Sequence, residues 1–130
     1  MQRRNLLQGA AALAALGLAG CASTSVPSKA RVLVVGGGYG GATAAKYIRL
    51  LSDYKIEVVL VEPGEAFVSC PISNLVLGGA RQIGELSTPY TTLQSRQGVT
   101  VVRDWVASID ATKKTATLAS GPVIAYDKLV

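Results

Sequence analysis

The 130-residue chain contains no histidine and only two cysteines, Cys21 and Cys70. A Cys-x-x-Cys-His run is therefore impossible, and any haem that works with this chain sits on another polypeptide. The same count excludes a pair of neighbouring redox cysteines. There is one tryptophan and no run of basic residues, so nucleic-acid binding has no support. The formal charge of +5 reflects 13 basic and 8 acidic side chains; without Arg3 and Arg4 it is +3, a mild excess spread along the chain. No apolar stretch has the length of a transmembrane helix, the longest weakly hydrophobic one being Gly9 to Gly20. What remains is enough for one domain of about 100 residues.

Residues 31 to 62 dominate that domain. Val32 to Val35 is a β-branched run of the kind expected for a strand buried on both faces of a parallel sheet. Gly36, Gly38 and Gly41 follow at G-x-G-x-x-G spacing. In such a turn the first glycine takes a conformation that a Cβ resists, the second admits a pyrophosphate, and the third lets the next helix pack close. A helix is predicted from near Gly40, with Ala42, Ala45, Ile48 and Leu51 as its apolar stripe and Lys46, Arg49 and Asp53 facing water. Its amino-terminal amides and dipole point at the phosphates. Ile56 to Val61 reads as a second buried strand, and Glu62 follows it, 21 positions past Gly41, where an acid hydrogen-bonds the adenosine ribose and disfavours a 2′-phosphate. Gly36, Gly38, Gly40, Gly41 and Glu62 are thus candidate cofactor-binding residues for a dinucleotide. The motif alone does not separate FAD from NAD.

The first 20 residues read as an export signal. Gln2-Arg3-Arg4-Asn5-Leu6-Leu7 resembles a twin-arginine signal, with Gln2 and Leu6 departing from its usual residues. Leu18-Ala19-Gly20-Cys21 looks like a bacterial lipoprotein box, which implies cleavage, acylation of Cys21 and a periplasmic protein whose one tie to the membrane is that lipid. The alternative is cleavage elsewhere, with Cys21 a chance residue of the leader. Residues 21 to 30, rich in Ser, Thr, Pro and Lys, form a linker, and residues 31 to 130 form the domain.

Past Glu62 the alternation of strands and helices breaks down. Pro63 and Gly64 open a long connection carrying Phe67 to Asn74 and Leu75 to Gly79, with another break at Pro89; it is too apolar for disorder. Val99 to Arg103 reads as a third strand. Trp105 to Asp110, Thr115 to Ala119 and Val123 to Tyr126 then form a meander with turns at 111–114 and 120–122.

With these elements in place the chain resembles the FAD-dependent disulfide-oxidoreductase superfamily, and within it the flavoprotein subunits of flavocytochrome c sulfide dehydrogenases. Val34 to Ile48 and, more specifically, Ser69-Cys70-Pro71-Ile72-Ser73-Asn74-Leu75-Val76-Leu77-Gly78-Gly79 carry the likeness, which extends to Tyr126-Asp127-Lys128-Leu129-Val130. It implies an α/β fold, a glutathione-reductase-like Rossmann FAD/NAD(P)-binding domain with an appended β-meander, incomplete at its carboxyl end. The cofactor implied is FAD. The matching cysteine of the family bonds the flavin's 8α carbon, which assigns that thioether to Cys70. The resemblance also implies sulfide as substrate, a redox cysteine pair later in a longer chain, and a cytochrome c subunit or soluble cytochrome c as acceptor. The 130 residues alone are not expected to turn over sulfide.

The residues themselves leave other readings open. Cys70 can be a free thiol acting as a small hydrophobe, or the partner of Cys21 in a disulfide if Cys21 is retained. Pro71, Ser73 and Asn74 shape the loop or donate to the flavin. Tyr39 is expected as a surface ring, Lys46 as a helix-surface cation, and Trp105 as a ring packed in the core or at an interface. Two alternative functions follow: a sulfide:quinone or NADH-type oxidoreductase with non-covalent FAD, and a non-catalytic lipoprotein fragment that keeps the fold.

Overall fold

The computed structural model describes residues 30–130. The export signal, Cys21 and all but the last residue of the linker lie outside the described residues.

Strand β1 (Arg31–Val35) leads through the glycine turn into helix α1 (Tyr39–Leu51) and back to β2 (Glu57–Val61). The two strands pair in parallel, Val32 opposite Val58 and Val34 opposite Leu60. β5 (Thr100–Val102) adds beside β2, and β9 (Lys128–Leu129) beside β1, giving a parallel sheet in the order β5-β2-β1-β9. Successive side chains of a strand point to opposite faces, and both faces here are apolar. Val32, Val34, Val58 and Leu60 pack with Ala45 of α1, Tyr90 and Val99; Leu33, Val59 and Val61 pack on the other face with Ala116, Leu118 and Tyr126. The second face is covered by the meander β6 (Val106–Asp110), β7 (Thr115–Leu118) and β8 (Val123–Ala125), all antiparallel. Burying a side chain such as Leu33 or Leu60 contributes about 2 kcal/mol, so the two clusters hold the sheet from both sides. Among the described residues no helix is long and apolar enough to cross a membrane.

The meander and third strand form where expected, each trimmed by a residue or two. Other expectations need correction. The connection after Glu62 is structured: β3 (Ala66–Val68) pairs antiparallel with β4 (Ser87–Pro89), and between them lie a short helix α2 (Asn74–Leu77) and a 3-10 turn (Ile83–Leu86). Helix α3 (Thr91–Gln97) precedes β5 and ends on Gly98 in the left-handed region, φ 62°. Val35 is not buried on both faces; it is 40% exposed at the end of β1.

The predicted stripe of α1 also fails at its far end. Ala45 is fully buried and Ile48 packs on the core, but Leu51 is 83% exposed. At 3.6 residues per turn a row spaced by three drifts roughly 60° at each step, so Leu51 ends on the side opposite Ala42. Arg49, expected in water, instead donates Nε to the Gln97 carbonyl (2.8 Å) and Nη1 to the carbonyls of Tyr54 (2.9 Å) and Ile56. Trp105 belongs to no core; it is 68% exposed among the described residues.

Candidate functional site

The glycine turn sits at the carboxyl end of β1, and its glycines do not all answer to the same constraint. Gly36 has φ +93°, a region that side chains resist. A Cβ on Gly41 would collide with the Gly36 carbonyl, so α1 approaches the turn too closely for any side chain. Gly38 and Gly40 differ: a Cβ on either meets nothing within 4 Å. The protein does not use that space. Gly38 is the N-cap of α1, has φ −66°, and no side chain caps the helix. The first amides of a helix have no partner inside it and carry its positive end. An open cradle with uncapped amides is the arrangement a pyrophosphate fits.

Glu62 is brought directly to this turn. Its Oε2 accepts from the Gly37 amide (2.6 Å) and its Oε1 from the Gly64 amide (2.9 Å). An ionised carboxylate has about four acceptor positions, so capacity for a ribose hydroxyl remains. A small cavity of about 240 Å³ opens at the ends of β1 and β2 between Glu62, Pro63, Asp104 and Trp105. The exposed indole, unexplained as core, forms a wall of this cavity.

Tyr90 was not singled out from the sequence. It is buried beneath the turn, donates its hydroxyl to the Gly37 carbonyl (2.9 Å), and blocks any side chain at position 37. Burial, helped by the negative charge of Glu62, raises its pKa above the usual tyrosine value and keeps it a donor. Only the Pro89 break stood near it in sequence, and a lone tyrosine after a proline carries no motif.

Cys70 lies on the loop between β3 and α2. Among the described residues its thiol has no disulfide partner; it is exposed, with only a weak contact of 3.8 Å to the Val68 carbonyl. Ser73 shapes the loop, its amide and hydroxyl donating to the Cys70 carbonyl (3.0 and 2.8 Å). Asn74 begins α2, and Pro71 is exposed. The loop docks on α1 through Tyr39, whose hydroxyl hydrogen-bonds Ser69 Oγ at 2.5 Å and whose ring meets Phe67 edge-on at 4.5 Å. Tyr39 is a surface ring, 57% exposed, but a tethered one. Between α1, α3 and this loop is a cavity of about 590 Å³ that includes Gly38, Tyr39, Lys46, Ser69, Ile72 and Arg96 in its walls. Lys46 is exposed, its Nζ 5.4 Å from the Tyr47 ring centre. The structure thus gathers the glycines and Glu62 into one constellation, and draws the Cys70 loop to the start of the same helix.

Comparison with known proteins matches this arrangement. Residues 30–130 fit the family model described as pyridine nucleotide-disulphide oxidoreductase. The chain is 65% identical over 46 residues to the flavoprotein chain of sulfide dehydrogenase (flavocytochrome c) from Chlorobaculum thiosulfatiphilum, covering 35% of this chain and 94% of that sequence. It is 34% identical over 100 residues to the sulfide-quinone reductase of Aquifex aeolicus, 76% of this chain but only 23% of that protein. The X-ray structure of sulfide:quinone oxidoreductase from Aquifex aeolicus superposes with a TM-score of 0.69 at 31% identity, covering 77% of this chain and 23% of that one. Matched along the whole of its described length, and carrying the turn that such a cofactor fits, the chain belongs to the pyridine nucleotide-disulphide oxidoreductase family.

Proposed function

We propose that this chain is the FAD-binding part of an exported sulfide-oxidising flavoprotein that passes electrons to a cytochrome c. The observation that carries the proposal is the exposed Cys70 thiol on a loop docked at the phosphate-binding end of α1. The sulfide dehydrogenase and sulfide-quinone reductase relatives support sulfide as the donor. In this reading the open space at Gly38 and the uncapped amides of α1 hold the pyrophosphate, and Glu62 orients the ribose. Gly36 and Gly41 keep the turn in shape, and Gly40 leaves the space beside the first turn of α1 open. The cavity beside Trp105 takes the adenine. Bound FAD supplies acceptance of an electron pair from a sulfur donor and its delivery one electron at a time to a haem. Cys70 would hold the flavin through a thioether to its 8α carbon; forming it removes the thiol proton and one 8α hydrogen, the two protons leaving to water and the two electrons leaving one at a time to two cytochrome c haems. A lipid on Cys21 ties the protein to the periplasmic face of the membrane.

Acid denaturation of the flavin-loaded protein tests this. Yellow colour stays with the wild-type polypeptide and is lost with Cys70→Ala. Complete release of flavin from the wild type would sink the thioether and favour the second reading, a sulfide:quinone-type enzyme with non-covalent FAD. The 34% identity to a sulfide-quinone reductase over 100 residues supports that alternative.

A further inference from the structure

We propose that Tyr39 and Ser69 form a hydroxyl clamp that fixes the Cys70 loop to the first turn of α1 and so sets how fast Cys70 meets the flavin. The proposal rests on the reading of Cys70 as the flavin-linked residue. Tyr39 is the first residue of α1, directly after Gly38, and Ser69 directly precedes Cys70. Thirty residues apart, they share a hydrogen bond of 2.5 Å. Ser69 is also held from the other side, where its amide donates to the Leu86 carbonyl at 2.9 Å. One residue on, the Cys70 carbonyl accepts from both the amide and the hydroxyl of Ser73. The main chain at the cysteine is therefore pinned before and after, while the thiol itself stays exposed and almost unbonded.

That combination suits a group that must wait at a set place for a reaction partner, because rates of bond formation depend steeply on the separation and alignment of the reacting atoms. The Phe67 ring under Tyr39 keeps the phenol from swinging away. Tyr39 is a positioning residue: its hydroxyl bonds Ser69, while the Cys70 thiol contacts the Val68 carbonyl.

The test follows acid-stable flavin over time after FAD is added to the flavin-free protein, with hydrogen exchange of the 69–74 amides measured in parallel. Tyr39→Phe and Ser69→Ala each slow attachment roughly fivefold, the loss of one ordinary hydrogen bond, and speed exchange in 69–74 while β1 and β2 keep wild-type protection. Ser69→Thr, which keeps a hydroxyl, restores both. The double variant is no slower than either single one, because both changes cut the same bond. Unchanged exchange in Tyr39→Phe overturns the clamp, and so does attachment at the wild-type rate when exchange has risen. If wild-type protein holds no acid-stable flavin, the assignment of Cys70 fails and with it the clamp's effect on attachment; the exchange arm alone then decides whether the two hydroxyls hold the loop.

Discussion

Gly38 and Gly41 look alike in the motif but answer to different physics, and two substitutions separate them. Gly41→Ala forces a methyl group against the Gly36 carbonyl and is expected to cost about 3 kcal/mol, the upper end for overpacking. Gly38→Ala has open space and an ordinary φ of −66°, so its unfolding free energy should fall by no more than about 1 kcal/mol, the cost of alanine at an N-cap. Its FAD affinity should fall sharply, because the new methyl group occupies the cradle. Thermal unfolding beside a flavin titration reads both. Tyr90 gives a pH prediction. Its pKa is raised on folding, so above the ordinary tyrosine value of about 10 the unfolded chain loses that proton first. Its contribution is complete below that pH and declines as pH rises toward the folded value. Tyr90→Phe should cost about 1–2 kcal/mol at neutral pH, since the Gly37 carbonyl loses its donor, and should flatten the alkaline decline. An equally steep decline in the variant would show that another group causes it.

At the scale of elements, Arg49 joins three pieces. Its guanidinium reaches carbonyls at the end of α3, past the end of α1 and just before β2. Arg49→Met keeps the stem and removes all three bonds; a loss of about 2 kcal/mol in urea unfolding is expected, partly offset by water at this half-buried site. The role was not legible in the sequence, where an arginine three residues after Lys46 reads as a solvated face. The strands were legible because β-branched runs and turn residues are local signals. α3 was not, since Thr91–Gln97 has only Leu93 packed on the core. Its one available cue was Gly98, a glycine suited to ending a helix. β9 escaped for a related reason, as two residues cannot show a period. The glycines and Glu62 were readable because their spacing is itself the chemistry. Tyr90 and the Tyr39–Ser69 bond were not, because each depends on which parts of the chain the fold brings together.

For the molecule as a whole, β1 stands where the order of the parallel strands reverses: β2 and β5 build to one side and β9 lies on the other. Ligands of open α/β sheets bind at the carboxyl ends of the strands at such a switch point, and the glycine turn, Glu62 and the Trp105 cavity all lie there. The single tryptophan makes occupancy observable. ADP should change the Trp105 fluorescence in a saturable way, and Glu62→Ala should weaken that response about tenfold, the value of one charge-assisted hydrogen bond. No response to ADP or FAD would mean that the Trp105 cavity is not the adenine site.

The pairing of β9 with β1 also bears on how the chain folds as it is made. Arg31 donates its amide to the Asp127 carboxylate across 96 positions of sequence, and Val130 exchanges main-chain bonds with Leu33 and Val35. Such distant contacts form slowly, because a long loop must close before they contribute. On the ribosome, β1, α1 and β2 are free to assemble early, but one edge of the sheet stays open until Lys128 and Leu129 have emerged. Completing this sheet therefore waits on residues made almost a hundred positions after its first strand.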